Sequence, residues 1–326
     1  LLPRNANAVI PLTERVLARL PGPRLLWSVA WGALAPFAWL LADRAGAHPS
    51  YAVYGGSRSV IAFSAGSIIA IAGVRRLAQL LDSVRPAIRD LTGAGSSTTN
   101  PFALVGHKAG PLLGAALLAL MFAGVDFLRS RTAATAILIA VDFLWLISLC
   151  TFVWVGATAL SGLDRLGRME LTLKSFIVDR SLGLRPLGGV AFQVFLIFTA
   201  VMLPLVLLAT GETRTTVVLL CLFGTVVTLF FLSLLRLRRR LQTAKRSHVQ
   251  ACRHQIARIL GEGVAPAAGG DASARLWNLH AAEAEKRRAL AIQEWPFDEG
   301  VFTKVIAIAT SVGTAILSRL VLARIG

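Results

Sequence analysis

The chain has 326 residues, 55% of them hydrophobic and 16% charged, and its 34 Lys and Arg against 17 Asp and Glu give a net charge of +17. Soluble globular domains carry roughly 25% charged residues, so a soluble single-domain enzyme is excluded. A mean hydropathy of +0.67 also excludes a disordered chain, because disorder needs a shortage of apolar surface to bury. An integral membrane protein remains.

Residues 1–24 hold no apolar run of the kind that forms a signal-peptide core. A bilayer crossing takes about 20 mostly apolar residues in a helix, which satisfies its own backbone in hydrocarbon. Seven segments meet this requirement. The first, 25–42, carries Trp27, Trp31 and Trp39, and the second, 51–74, is charged only at Arg58. Residues 109–125 and 132–163 follow, the latter interrupted by Asp142, and then the charge-free stretches 187–210 and 215–235. The seventh is 301–323, with a short charge-free core between Lys304 and Arg319.

The connections differ in length from one side to the other. Residues 75–91 read as an amphipathic helix ending in a polar stretch over 92–100, and 164–189 as an interfacial loop broken at Gly183, Pro186, Gly188 and Gly189. The sixth segment continues without a breaker into 236–260, where Leu237, Leu241, Ala244, Cys252, Ile256 and Ile259 recur at helical spacing. An Ala/Gly/Pro linker over 261–270 turns the chain into a second helix, 272–293. Pro296 stops that helix, Trp295 and Phe297 are placed for the headgroup level, and Asp298 is placed to cap the seventh span. With the N-terminus inside, 27 of the 34 basic residues fall on the cytoplasmic side, the bias that short cytoplasmic loops show. The expected fold is all-α: seven transmembrane helices, N-terminus cytoplasmic, C-terminus outside, and a cytoplasmic helical hairpin. The expected divisions are 1–235 for six spans, 236–299 for the hairpin and 300–326 for the seventh helix. A multi-pass protein of a prokaryotic cell (inner) membrane is expected, since Arg outnumbers Lys 29 to 5.

Candidate chemistry is sparse. Asp142 lies near mid-membrane in its span, where an ionisable group is a candidate proton or cation site; pairing with Arg58 is the structural alternative. Asp126 is expected to pair with Arg129 at a helix end. Ala62, Gly66 and Ala70, and again Gly106, Gly110 and Gly114, form small-xxx-small patterns that let helices approach closely. Pro111 and Pro204 are expected to kink their helices.

On a helical wheel of the seventh span, Thr303, Ala307, Thr310, Thr314, Ser318 and Val321 fall within about 60° of one line, with Ser311 and Leu317 at its edges. A face of hydroxyls and small side chains suits a water-filled pathway, with Leu317 and Val321 as an apolar constriction; close helix packing uses the same composition. Arg236, Arg238, Arg239 and Arg240 sit just below the sixth span, where they can hold anionic lipid headgroups or act only as a stop-transfer signal. His248, Cys252 and His254 lack the further ligands of a tetrahedral zinc site, and three scattered cysteines make no disulfide framework. No metal, cofactor or nucleic-acid partner is expected. Nor is enzyme activity, because H-E-x-x-H, G-x-S-x-G, Walker A and D-D-x-x-D patterns are all missing from the sequence.

In its order of parts the chain resembles the insect odorant and gustatory receptor channels, which share an inside N-terminus, a cytoplasmic anchor domain and a C-terminal pore-lining seventh helix. The resemblance is one of topology. It implies a homo-oligomeric channel lined by the last helix. The alternatives are a proton- or ion-coupled transporter using Asp142 and a non-conducting membrane scaffold or sensor.

Overall fold

The computed structural model describes residues 10–44, 57–92, 101–129, 133–169, 171–173, 179, 181–208, 213–261, 272–297 and 299–325. Regular structure among them is helical: α1 (Leu12–Leu17), α2 (Arg24–Arg44), α3 (Ser57–Thr92), a single 3-10 turn (Ala103–Gly106), α4 (Ala109–Arg129), α5 (Ala133–Arg168), α6 (Arg185–Leu208), α7 (Thr213–Gly261), α8 (Ala272–Leu290) and α9 (Glu299–Ile325).

Five helices contain stretches long and apolar enough to cross a membrane: Val60–Thr92, Phe143–Arg168, Arg185–Leu207, Leu219–Gly261 and Gly300–Ser318. They mark a multi-pass membrane protein. The other two expected spans fall on α2 and α4. In α4 the described apolar stretch, Ala109–Leu120, covers about 18 Å at 1.5 Å per residue, less than the hydrocarbon core of about 30 Å.

The bundle is built on α3 and α6. Ala70, Val74, Leu77, Leu81, Val84, Ile88 and Leu91 of α3 are all buried, recurring every three or four residues, so one apolar face runs from the span into the segment expected to be a separate amphipathic helix. The two are one helix. Against it α6 sets Leu187, Val190, Ala191, Val194, Phe195 and Val201. α5 and α7 complete this core, while α2 packs on α3 and α5, and α4 on α5. Inside the bundle the Ser67 and Ser148 hydroxyls hydrogen-bond at 2.5 Å, and Trp145 Nε1 donates to the Phe63 carbonyl at 3.1 Å. Both tie α3 to α5 in parallel register.

The small-residue patterns serve packing within the chain. Ala62 and Ala70 are buried and Gly66 faces the Val201 carbonyl. A methyl group on Gly110 would lie 2.5 Å from the Trp154 ring, so α4 reaches α5 only because that position has no side chain. Pro111 sits in the first turn of α4, where the N–H it lacks would have had no intrahelical partner. α6 runs through Pro204 to Leu208.

α7 is 49 residues long, about 73 Å at 1.5 Å per residue, and it carries the sixth span and the first arm of the hairpin as one rod. Leu237, Leu241 and Cys252 are buried on its inner side, and α8 packs back along it through Ala282 and Ala289. α8 ends at Leu290, slightly before the expected 293, and a non-helical elbow over 291–297 leads into α9.

Candidate functional site

α9 lies at the edge of the bundle, against α7 and α6. Val305, Val312 and Ile316 are buried, and Val301, Phe302, Ile308 and Ala309 pack half-buried on the core. At about 100° per residue the line through Thr303, Ala307, Thr310, Thr314, Ser318 and Val321 points roughly opposite that buried face, and all six residues are exposed. Leu317 and Val321, at the far end, are 48% and 54% exposed. Some hydroxyls are internally satisfied: Ser311 Oγ donates to the Ala307 carbonyl at 2.8 Å and Ser318 Oγ to Ala315 at 3.0 Å. Serine and threonine commonly bond back this way, and an acceptor lone pair stays free for water or an ion.

The other outward faces of the bundle look different. α2 exposes Leu25, Leu26, Val29, Phe37 and Leu41; α4 exposes Leu112, Leu113, Leu117 and Leu120; α7 exposes Leu222, Leu229 and Leu232. These are lipid-compatible surfaces. α7 also exposes Cys221, Gly224, Thr225 and Thr228 beside those leucines, and on α9 hydroxyls and small groups make up most of one face.

The elbow that delivers α9 is densely aromatic. Trp295 stacks on Phe297 and on Phe302, with ring centroids 5.6 Å apart in each pair, and meets Phe231 edge-on at 5.9 Å. Phe297 in turn reaches Phe230 of α7 at 6.2 Å. The Arg238 guanidinium carbon lies 4.6 Å from the centre of the Trp295 ring, a cation–π distance. On the other side of the elbow, a methyl group added to Gly188 of α6 would lie 2.0 Å from the Pro296 carbonyl oxygen. Of Trp295 and Phe297, both expected at the headgroup level, Trp295 is half-buried and Phe297 is 4% exposed, packed inside the protein. The signal was there in the density of rings from Trp295 to Phe302, facing the Phe230-Phe231 pair. Glu294 is held by Gln242 Nε2 at 3.3 Å and Lys245 Nζ at 3.4 Å. The Gln242 hydrogen bond first, and then the Lys245 charge, hold its carboxyl below the usual glutamate range.

The basic run below the sixth span is largely engaged. Arg236 Nε meets Asp164 Oδ1 at 2.8 Å, and Arg168 takes the other oxygen at 3.0 Å. Arg238 covers Trp295, and Arg240 reaches the Gly167 and Met169 carbonyls at the end of α5 at 3.5 Å. Arg239 is exposed. The Asp164–Arg236 pair spans 72 positions and carries no local signature.

Asp142 is placed on α5 three residues before Trp145, and the parallel α3–α5 register sets it near position 61, within a turn of Arg58 along the bundle. Its side chain, with those of Arg58, Asp126, Arg129 and Arg319, lies outside the described residues, as does Asp298. Cys252 is buried against α8 and His254 is exposed; among the described residues no group of three metal-ligating side chains comes together.

A second cluster joins α1 to the start of α2. Glu14 of α1 is 6% exposed and meets Arg24 Nη1 of α2 at 3.3 Å, while Arg15 Nη2 donates to the Gly106 carbonyl at 3.2 Å. Burial pushes the Glu14 carboxyl above the usual range, against the opposing pull of Arg75 and Arg24.

No protein family, curated protein or solved structure matches the chain.

Proposed function

We propose that the chain is a homo-oligomeric channel that crosses the membrane seven times, with its N-terminus cytoplasmic, its C-terminus outside and α9 lining the pore. One observation carries this reading: the exposed α9 face of Thr303, Ala307, Thr310, Thr314 and Ser318 is hydroxyl-rich, whereas α2 and α4 of the same chain turn mainly large apolar side chains outward. Lipid rewards the second kind of surface. The first gains from water, from ions, or from the close approach of neighbouring copies around an axis. Subunits arranged about α9 would place Thr310 and Thr314 around the pathway and Leu317 and Val321 at an apolar constriction. Within the basic run, Arg239 is an exposed arginine placed to meet anionic headgroups, and Arg240, also exposed, is drawn back toward the end of α5.

Purified protein in planar bilayers tests the reading. Unitary currents are expected, and in a background lacking Cys150, Cys221 and Cys252 a Thr314→Cys channel is expected to be blocked by a water-soluble thiol reagent. Silence under voltage, stretch and varied lipid would overturn it. Asp142→Asn separates the transporter alternative: a channel keeps its unitary current, whereas a carrier that moves protons through Asp142 loses coupled uptake.

A further inference from the structure

The covalent route from the hairpin to α9 is short, and it is pinned on both sides. The elbow leaves α8 at Leu290 and enters α9 at Glu299. On its α7 side, Trp295 packs in a triangle of rings with Phe297 and Phe302, which lie 6.3 Å from each other, and is closed edge-on by Phe231 and covered by Arg238. On its α6 side, the Pro296 carbonyl fills the space that a side chain at position 188 would need. One residue before the stack, Glu294 is tied to Gln242 and Lys245, farther along the same rod. Arg238, Gln242 and Lys245 recur every three or four residues, so one stripe of α7 holds the whole elbow.

This arrangement is directional. α7 is continuous from membrane to hairpin tip, so a tilt of the hairpin does not dissipate in a loop before it reaches Arg238. Phe302 belongs to α9 itself, immediately before Thr303, where the hydroxyl face starts. A movement of the Trp295 ring is therefore passed directly to the first turn of the helix that carries the stripe.

We infer that Trp295, clamped by Arg238 and stacked on Phe297 and Phe302, is a latch that fixes the setting of α9 to the position of the cytoplasmic hairpin, so that an event on the hairpin regulates the pore. The latch is closed in this conformation. Opening it frees α9 to rotate or shift on α7 while leaving the α3–α6 core intact, since no residue of the stack except Phe297 and Phe230 is deep in that core. The consequence for conduction rests on the channel reading; the mechanical coupling does not.

The test uses the full chain in a cysteine-free background, with spin labels at Arg253→Cys on the hairpin and Lys304→Cys on α9, both exposed positions. A single narrow distance distribution is expected with Trp295 present. Trp295→Ala broadens or shifts it, and Trp295→Phe, which preserves stacking, largely restores it. Trp277→Ala removes the same side chain from a position of the same hairpin that is 77% exposed and leaves the distribution unchanged. In bilayers, Trp295→Ala changes open probability by at least about tenfold, the scale of one cation–π contact and three ring contacts together, at unaltered unitary conductance. If Trp295→Ala fails to fold, Arg238→Gln opens the latch with the ring stack in place and is read the same way. An unchanged distance distribution in the latch variants overturns the inference even if the protein conducts. Broadened distances in a protein that never conducts support the latch and remove the channel reading instead.

Discussion

The outward faces of α4 and α9 are both exposed and differ in chemistry. Leu113, Leu117 and Leu120 of α4 are 63%, 67% and 76% exposed, a ridge that gains by contact with acyl chains. The outward face of α9 is also exposed and holds Thr310, Thr314 and Ser318. One chain under one selection for membrane solubility made both surfaces, so exposure alone does not identify a lipid contact. Chemistry separates them. A leucine face is complete when lipid surrounds it, whereas a hydroxyl face there forgoes apolar contact and has value only against water, ions or a closely packed helix.

The largest effect expected from breaking that contrast comes from bulk on the stripe. Thr314→Trp should remove unitary current by at least tenfold, because an indole on the axis fills a pathway lined by threonines, while Leu117→Trp should leave current and assembly unchanged. Both positions are exposed, so neither substitution should lower the unfolding midpoint appreciably. Equal currents from the two variants would put α9 in lipid alongside α4. Size of the detergent-solubilised particle, measured on the same samples, tells a blocked pore from a lost oligomer.

How far this contrast was readable beforehand depends on the range of the signal. The stripe is a local pattern, six positions at helical spacing, and a wheel finds it without coordinates. The same is true of the unbroken α7 rod, where the apolar face from Leu237 to Ile259 continues a span that contains no proline. Contacts made across the chain left no such mark. The Ser67–Ser148 bond, the Arg236–Asp164 pair and the clamp of Arg238 on Trp295 each join residues more than 50 positions apart. From sequence, Trp295 and Phe297 carried the signature of interfacial anchors, because an aromatic at a span end has the same local context whether it turns to headgroups or inward. The place of Pro111 was hidden for a related reason: a proline removes a helical bond only where its missing N–H was needed, and that depends on where the helix begins.

A smaller effect sharpens the comparison by asking what keeps the α9 face turned out. Adjacent glycines on α6 give an internal control. Gly188→Ala must displace the Pro296 carbonyl or the helix and should cost about 1–3 kcal/mol, the usual range for overpacking. Gly189 meets nothing within 4 Å of an added methyl, so Gly189→Ala should be neutral or stabilising by up to about 1 kcal/mol through helix propensity. Midpoints of thermal unfolding in detergent check the pair. If both variants are neutral, the elbow does not rest on α6 and α9 is held by α7 alone.

The smallest effects expected are on pH dependence, and they carry opposite signs in the two clusters that tie down the ends of the chain. Glu294 has its carboxyl held below the usual range, so its contribution to stability is fully present above the ordinary glutamate value and is lost as pH falls through the lower folded value. The group is exposed and its partners are screened by salt, so the loss is slight and should shrink further at high ionic strength. Glu14 is pushed the other way by burial: its ionised form is disfavoured in the fold, a penalty that is complete above its raised value and disappears as pH falls to the ordinary one. Glu14→Gln should therefore raise the unfolding midpoint at neutral pH relative to its effect in mild acid, while Glu294→Gln should lower it slightly at neutral pH and leave it unchanged in strong acid. A Glu14→Gln variant less stable than the parent at neutral pH would mean that the Arg24 pair outweighs desolvation, and that α1 is clamped to α2 by charge as firmly as the elbow is clamped to α7 by its ring stack.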